Sequence, residues 1–539
     1  MPENRKDPCA LRSLGEGPYD LVIIGGGING TGIARDAVMR GYSVALFDKG
    51  DLAGGTSSAS SKMVHGGIRY LEQIRFGLVH ESLRERHILL EQAPHLVRPQ
   101  SFIIPVYAGS GRGPWKIRLG LRLYDLLCMG RRLGRSRYMG SREVLERIPP
   151  LADAGLRGGG LYFDAVMDDA RLCLANAIAA REEAGARSVD FQLRTYTEVV
   201  EQESSTPIRL HLLDRVSGRR GTILAKRVVR ALGPWSDPKT LVPSKGVHLV
   251  LPRQWDGDGL LLQHSVDNRV FFAIPWKDSL VVGTTETPHP DNPDRVRVET
   301  EDLDYLFCEI RRILPQLPVS KSSIIGVFAG IRPLARAGGL LAKLTGKGPG
   351  SVSRKHRIIE DGRRSFSLVG GKYTTYRAIA KNVCDRVFGR GGCTTHKHPL
   401  PGGEEGPLED LIGNFAGTVL ENLPAEEIER LYRRYGCRLR EVIDTSESNP
   451  QMAAPLVPGA AELKAEVLYC LQNEFLVYPG DFVDRRTTLR FGADGGRAAY
   501  RATEELIRRH SKSLPADLEA ASEDWFHRRD REDELCNPG

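Results

Sequence analysis

Apolar positions take three textures along the chain. Near the start, Tyr19–Ile24 is a short, mostly apolar run that enters Gly25-Gly26-Gly27-Ile28-Asn29-Gly30. A helical pattern follows, then a second short run, Ser43–Phe47, closing on Asp48. Strand, glycine turn, helix and strand in that order predict a parallel βαβ unit. Helical spacing returns at Leu78–Gln92, before the Pro94 and Pro99 breaks, and at Arg171–Gly185. Strand-like runs lead to Val228-Val229 and on into Leu232-Gly233-Pro234-Trp235; Leu368–Lys372 is another strand with a glycine pair, and a helix follows at Thr374–Val387. Between about Pro243 and Arg332, short apolar runs (VHLVLP, RVFFAIPW, SLVVGTTE, IIGVFAGIRP) alternate with turns, the texture of an antiparallel sheet. After about Thr395 the pattern is mainly helical, with Leu463, Val467, Leu471 and Phe475 spaced as a core face. Gly158-Gly159-Gly160 reads as a turn, Ala337–Gly350 as a surface loop, and the highly charged last 25 residues as a fraying end. The predicted class is α/β: a Rossmann-type unit, an antiparallel-sheet domain set between its segments, and a helical C-terminal domain.

Composition narrows this picture. At 539 residues the chain has room for several domains, and 41% apolar with 27% charged residues is ordinary for a folded protein. Nine scattered cysteines without a C-x-x-C pair predict reduced thiols, with neither a disulfide framework nor a zinc site. The N-terminal stretch has no apolar core of a signal peptide, and no run approaches a membrane span. A net charge of +8 suits an anionic substrate or surface, and no nucleic-acid partner is expected.

The chemistry begins in the glycine turn. Gly25, Gly27 and Gly30 fit the G-x-G-x-x-G dinucleotide fingerprint, with Asn29 inside it. The first glycine permits the turn, the second lets backbone approach a pyrophosphate, and the helix N-terminus favours the negative charge. Asp48 stands where a carboxylate accepts hydrogen bonds from a ribose, which argues against a 2′-phosphate. The fingerprint alone does not separate NAD from FAD.

Several longer stretches go further: GGGINGTGIARDA (25–37), TSSASSKMVHGGIRYLE (56–72), DDARL (168–172), IPWKDSLVVGTTE (274–286), FAGIRPL (328–334) and GGKYTTYRAIA (370–380), with Asp484-Arg485-Arg486-Thr487 near the end. Together these resemble the FAD-dependent glycerol-3-phosphate dehydrogenases, respiratory enzymes related in fold to D-amino-acid oxidase. Asp48 stands where many members carry Glu, and Leu232 where a smaller or hydroxylated residue precedes Gly233; no EF-hand pattern is visible. The resemblance implies a discontinuous FAD-binding domain at 18–105, 155–242 and 355–395. It further implies a substrate domain at 106–154 and 243–354 and a helical domain at 396–539. It implies FAD as cofactor, held by Gly25, Gly27, Asn29, Gly30, Asp48, Thr56, Ser57, Ser58, Lys62, Gly233, Gly371 and Lys372. Glycerol 3-phosphate is the implied substrate, with Arg69 and Arg332 as phosphate anchors, because a guanidinium fork binds oxyanions bidentately. Tyr70 is a hydroxyl donor beside Arg69. Thr285, with Thr284, is a substrate contact or a sheet-edge turn. His65 and His248 both remain candidates for the base that removes the hydroxyl proton. Lys372 is a cation stabilising negative charge, or a solvated lysine. Electrons would pass to a quinone; oxygen, with release of peroxide, and a D-amino-acid-oxidase-like amine oxidation are the alternatives. The resemblance leaves room for a homodimer.

One segment is not absorbed by this chemistry. Arg112–Arg137 holds one Lys and seven Arg against one Asp, interleaved with Trp115, Ile117, Leu119, Leu121, Leu123, Tyr124, Leu126 and Leu127. As a helix it would set Trp115, Leu119, Leu123 and Leu126/Leu127 on one face, the pattern of an interfacial helix on an anionic membrane. The expected location is therefore cytoplasmic, attached peripherally to the inner face of the cell membrane. The plain alternative is a basic helix packing its leucines on the core.

Overall fold

The computed structural model describes residues 17–536 apart from 110–111, 266, 268, 318, 337–355, 412–423 and 512–513. The segment Ala337–Gly350, expected as a loop, lies outside the described residues, as does most of the N-terminal stretch.

Strands Leu21–Ile24 and Val44–Phe47 pair in parallel across the helix Ile28–Met39, giving the predicted βαβ unit. Val228–Arg230 adds to Leu21–Ile24, Ser365–Val369 adds to Val228–Arg230, and Phe191–Arg194 adds to Val44–Phe47, all in parallel. Arg357–Gly362 closes this six-stranded sheet as an antiparallel edge. Both faces are covered, which explains the unbroken apolar runs. Leu21, Ile23, Val44 and Leu46 pack against the helices Ile28–Met39, Asp169–Arg187 and Tyr376–Phe388. Val22, Ala45 and Phe47 pack on the opposite side against Ile208, Leu210 and Leu212 of a three-stranded antiparallel sheet.

The second sheet has ten strands, built around Leu241–Pro252, which pairs with Ser279–Gly283 and Gly326–Ala335. Strand Leu156–Met167 and all but the last two residues of Val97–Tyr107 fall in segments assigned above to the cofactor domain, yet they join this second sheet; Val97–Tyr107 pairs with Gly259–Gln263. Sequence patterning cannot assign an apolar strand to one of two sheets, because both bury it. Helix Thr300–Ile313 covers one face of the sheet and helix Pro114–Leu127 the other.

Two expectations are corrected and a third is refined. Gly158-Gly159-Gly160 is not a turn but lies inside the strand Leu156–Met167. A Cβ on Gly160 would stand 2.6 Å from Ile117 and one on Gly159 2.9 Å from Ile103, so these glycines let helix Pro114–Leu127 and the neighbouring strand approach closely. The C-terminal residues do not simply fray: Leu518–Cys536 is a helix docked through Trp525, which is 1% exposed. Helix Pro114–Leu127 buries Ile117, Leu121 and Tyr124, while Trp115, Leu119 and Leu126 are exposed and Leu123 is half-buried. The apolar residues therefore occupy two faces, one on the core and one outward.

Helices Ala425–Tyr435, Leu439–Ser448, Lys464–Asn473, Arg497–His510 and Leu518–Cys536 make the C-terminal unit around Leu431, Val467, Phe482 and Trp525.

Candidate active site

A cavity of about 1030 Å³ runs from the glycine turn to the second sheet. That is at the upper end of small-molecule sites, roughly 300–1,000 Å³. At one end, Gly25 has φ +110, and a Cβ there would lie 2.5 Å from the Ala231 carbonyl oxygen. A Cβ on Gly30 would lie 1.8 Å from the Gly25 carbonyl oxygen, so this position is closed to any side chain and the helix rests directly on the turn. Gly27 begins the helix without a capping side chain; the Ile28 amide donates instead to Ser57 Oγ at 3.0 Å. Ser57 thus brings the serine-rich loop onto the helix N-terminus. Asn29 Oδ1 is buried and has no hydrogen-bond partner among the described residues, an acceptor facing the same space. Asp48 accepts from the Gly26 and Gly50 amides at 2.6 and 2.8 Å. Burial outweighs these bonds and raises its carboxyl to about 6. Each oxygen keeps acceptor capacity for a further donor.

The other end is built from the loop after the serine-rich segment. Gly67 has φ +78, and the turn Ile68–Leu71 that follows presents Arg69 and Tyr70 to the cavity together with His65. The Gly66 amide donates to Asp164 Oδ1 at 2.9 Å, and that buried carboxylate also receives Arg86 and the Tyr124 hydroxyl at 2.8 and 2.7 Å. The His65 amide donates to Thr374 Oγ1 at 3.2 Å, tying the loop to the Gly370–Thr374 turn. Gly370 and Gly371 have φ +75 and +111, which brings Lys372 back over the site with its ammonium 3.9 Å from the Tyr70 ring centre.

Arg332 enters from strand Gly326–Ala335. Its guanidinium donates to Thr284 Oγ1 at 2.8 Å and to the Thr285 carbonyl at 3.3 Å. A Cβ on Gly246 would lie 2.8 Å from Arg332 Nη2, so the glycine opposite makes the room. Thr285 is 2% exposed and its Oγ accepts from the Val247 amide at 3.1 Å. Its side chain braces the strand, and its carbonyl orients Arg332. Thr56 Oγ1 donates to the Ile331 carbonyl at 2.6 Å, fastening the serine-rich loop to the same strand. His248 is buried, stacks on Phe328 at 4.7 Å, and has Nε2 2.8 Å from Ser61 Oγ. Burial, with the Arg332 and Lys62 charges, holds its imidazole well below the usual range, hence neutral.

Of the residues singled out in the sequence, Gly25, Gly27, Asn29, Asp48, Thr56, Ser57, His65, Arg69, Tyr70, Gly233, His248, Thr285, Arg332, Gly371 and Lys372 line this one cavity. Gly30 lies behind it, as its packing role requires. Ser58 and Lys62 border a separate small cavity instead. Lys62 is 6% exposed and its ammonium is 2.6 Å from Asp169 Oδ1 and 2.7 Å from the Ser58 carbonyl, so its charge is spent on a buried pair. Sequence reasoning missed Ser61, Asp164 and Gly246. Only Asp164, a charge in an apolar strand, carried a local signal.

Residues 20–357 match the FAD-dependent oxidoreductase family, and residues 393–514 match the C-terminal domain of alpha-glycerophosphate oxidase. A glycerol-3-phosphate dehydrogenase of Synechocystis is 33% identical over 87% of this chain and 89% of its own length. An aerobic glycerol-3-phosphate dehydrogenase of Bacillus subtilis is 33% identical over 88% of each. The structure of a glycerol-3-phosphate dehydrogenase from Bacillus halodurans complexed with FAD superposes with a TM-score of 0.76 at 25% identity, covering 97% of this chain and 96% of that one. Glycine oxidase from Geobacillus kaustophilus, with a TM-score of 0.53 at 20% identity over 71% of this chain and 99% of its own, shares the fold.

Proposed function

The chain belongs to the FAD-dependent oxidoreductase family, among the aerobic-type glycerol-3-phosphate dehydrogenases, and from that premise we propose that it oxidises sn-glycerol 3-phosphate to dihydroxyacetone phosphate and passes the electrons to a membrane quinone. FAD is the cofactor, and the site suits it: the glycine turn, the Asn29 acceptor and Asp48 stand at one end of a cavity whose other end carries two arginines. The observation that carries the substrate reading is this pairing of Arg69 and Arg332 in one cavity with two histidines and Lys372.

Bound FAD supplies a two-electron acceptor for the hydride of the secondary alcohol. The chain's own residues do the rest. Arg69 and Arg332 hold the phosphate, and the Thr284 hydroxyl and Thr285 carbonyl fix the Arg332 fork. His65 accepts the hydroxyl proton; it lines the same cavity as Arg69, from the loop that leads into the Ile68–Leu71 turn. His248, neutral and bonded to Ser61, orients the hydroxyl without competing for its proton. Lys372 stabilises negative charge that develops as the proton leaves.

A membrane acceptor calls for docking, and the outward face of helix Pro114–Leu127 supports it. Trp115, Leu119 and Leu126 are 71%, 60% and 71% exposed, and the adjoining loop adds Ile74 at 75%. Arg112 and Lys116 bind Glu72 at 2.9 and 3.4 Å, joining that loop to the helix. We assign this face to the anionic inner surface of the membrane. Among the described residues no helix is long and apolar enough to cross a membrane.

Arg69→Ala and Arg332→Ala should each raise the KM for glycerol 3-phosphate about ten- to a hundredfold, since a charge-assisted bond contributes roughly 1.5–3 kcal/mol. Flavin content should not change, and turnover of unphosphorylated glycerol should change far less. Equal losses on both substrates would remove the phosphate assignment. The match to the glycerophosphate oxidase C-terminal domain favours oxygen as a second acceptor reading. Reduction of a quinone analogue without matching peroxide release decides for the quinone; peroxide in step with turnover decides for oxygen.

A further inference from the structure

The loop that follows Asp48 is held from two sides. On its inner side, Asp48 accepts from Gly26 and Gly50, and the Ala53 amide donates to the Gly26 carbonyl at 3.2 Å. Ala53 has φ +59, a conformation that a residue with a side chain keeps only when its surroundings impose it. On its outer side stands the C-terminal unit. Asp51, 3% exposed, accepts from Arg485 Nε at 2.5 Å and from both terminal nitrogens of Arg486, Nη2 at 2.9 Å. Burial pushes the Asp51 carboxyl up, but the Arg486 and Arg485 charges outweigh it and leave it below the usual value, so the loop carries a fixed anion at this point.

The same segment grips the loop a second time. Arg485 Nη2 donates to Asp481 at 2.7 Å, and Asp481 accepts from the Tyr196 hydroxyl at 2.6 Å. Tyr196 in turn donates its amide to the Gly50 carbonyl at 3.0 Å, and the neighbouring Thr197 amide donates to the Asp48 carbonyl at 2.7 Å. A widened turn carries both arginines: the Thr487 amide reaches back five residues to the Phe482 carbonyl at 3.0 Å. Such widened turns are rare and occur frequently at functional sites. The turn does not swing freely. Arg486 also donates to the Glu474 carbonyl at 2.8 Å, and Glu474 binds Arg171 of the helix Asp169–Arg187 at 2.5 and 2.7 Å.

We propose that Arg485 and Arg486 are positioning residues for FAD: by clamping Asp51 and, through Asp481, Tyr196, they set the Asp48–Ala53 loop, and the C-terminal unit thereby completes the cofactor site. Asp48, Asp51, Asp481 and Arg485 border the one cavity, so the clamp and the expected ribose contact share a wall. The C-terminal unit then acts on flavin retention rather than on substrate.

The test compares flavin release with unfolding in the holoenzyme. Flavin fluorescence reports release on heating and far-ultraviolet circular dichroism reports loss of helix. In Arg486→Gln and Asp51→Asn, release should move to lower temperature than unfolding, opening a gap absent from the parent, and FAD should dissociate at least tenfold faster at 25 °C. With FAD in excess, the KM for glycerol 3-phosphate should stay within twofold of the parent. The double variant should release FAD no faster than the worse single, because one clamp is being broken. Arg486→Lys keeps the charge without the fork and should fall between. If release and unfolding shift together, or FAD dissociates at the parental rate, the clamp is a structural tie only and the proposal is wrong. Should Arg486→Gln not fold, Arg486→Lys decides by the same comparison.

Discussion

Arg434 and Arg122 each lie on an amphipathic helix beside apolar residues, yet their fates are opposite. Arg434 is 7% exposed, with Nη1 2.6 Å from Glu466 and Nη2 2.8 Å from Glu462. Arg122 is exposed, and among the described residues it has no ion-pair partner; the same holds for Arg118, Arg131 and Arg132. The difference lies in the carboxylates. Glu462 and Glu466 pair with Arg434, Glu474 pairs with Arg171, and a guanidinium is tolerated in the interior when such a partner is present. The segment 112–137 offers one acid, Asp125, and that side chain is taken by the Ser136 hydroxyl and amide at 2.5 and 3.0 Å. Arg118, Arg122, Arg131 and Arg132 are left to the outside. Arginine content alone therefore says nothing of where an arginine goes; local charge balance does.

The contrast is broken most directly at Glu474. Glu474→Ala leaves Arg171, 6% exposed, without its bidentate partner. Stranding a buried charge costs about 3–5 kcal/mol, so urea unfolding should shift by that amount. A loss below about 1 kcal/mol would mean that this junction behaves like an exposed pair.

The outward region should respond in the reverse way. Changing Arg118, Arg122, Arg131 and Arg132 to Glu should leave folding stability within about 0.5 kcal/mol, as expected for exposed sites. Binding to anionic vesicles should fall steeply, since each cation near such a surface contributes about 1 kcal/mol at most. Sedimentation with vesicles at low and high salt measures this. A parent that stays in the supernatant at low salt, or a variant that pellets like the parent, would remove the membrane assignment.

The same contrast explains what was legible in the sequence. The glycine turn, the His65–Tyr70 loop, Arg332 and the Gly370–Lys372 turn are short motifs whose backbone demands are local, and all reach one cavity. The missed features join distant segments. In sequence Lys62 reads as a cofactor contact, because a lysine in a serine-rich loop shows no sign of Asp169, 107 residues on. Asp51 and Arg486 are separated by 435 residues. Ser61 and His248, or Gly246 and Arg332, meet only once the second sheet has formed. Helix Pro114–Leu127 exposed a different limit: apolar periodicity marks both faces alike, and only the glycine strand beneath it selects the face that Ile117 and Leu121 bury.

A finer probe of the paired region is acid. Glu466 accepts from Arg430, Arg434, the Tyr435 hydroxyl and the Leu463 amide, and although burial pushes its carboxyl up, the Arg434 and Arg430 charges bring it down to about 2. The unfolded chain takes up a proton at this residue near pH 4.5, while the folded chain does not until about pH 2. Between those values the unfolded state binds more protons, so stability falls as pH falls. The pair's contribution is complete above about pH 5.5 and is lost progressively toward pH 2, on the order of 3 kcal/mol in all. Glu466→Gln keeps the shape without this titration. It should be less stable than the parent at pH 7, and the difference between the two should shrink as urea unfolding is repeated at pH 5, 4 and 3.5. A constant difference across that range would mean that Glu466 contributes by packing and hydrogen bonding alone, and the account of buried arginines as charges neutralised by their acids would fail at this position.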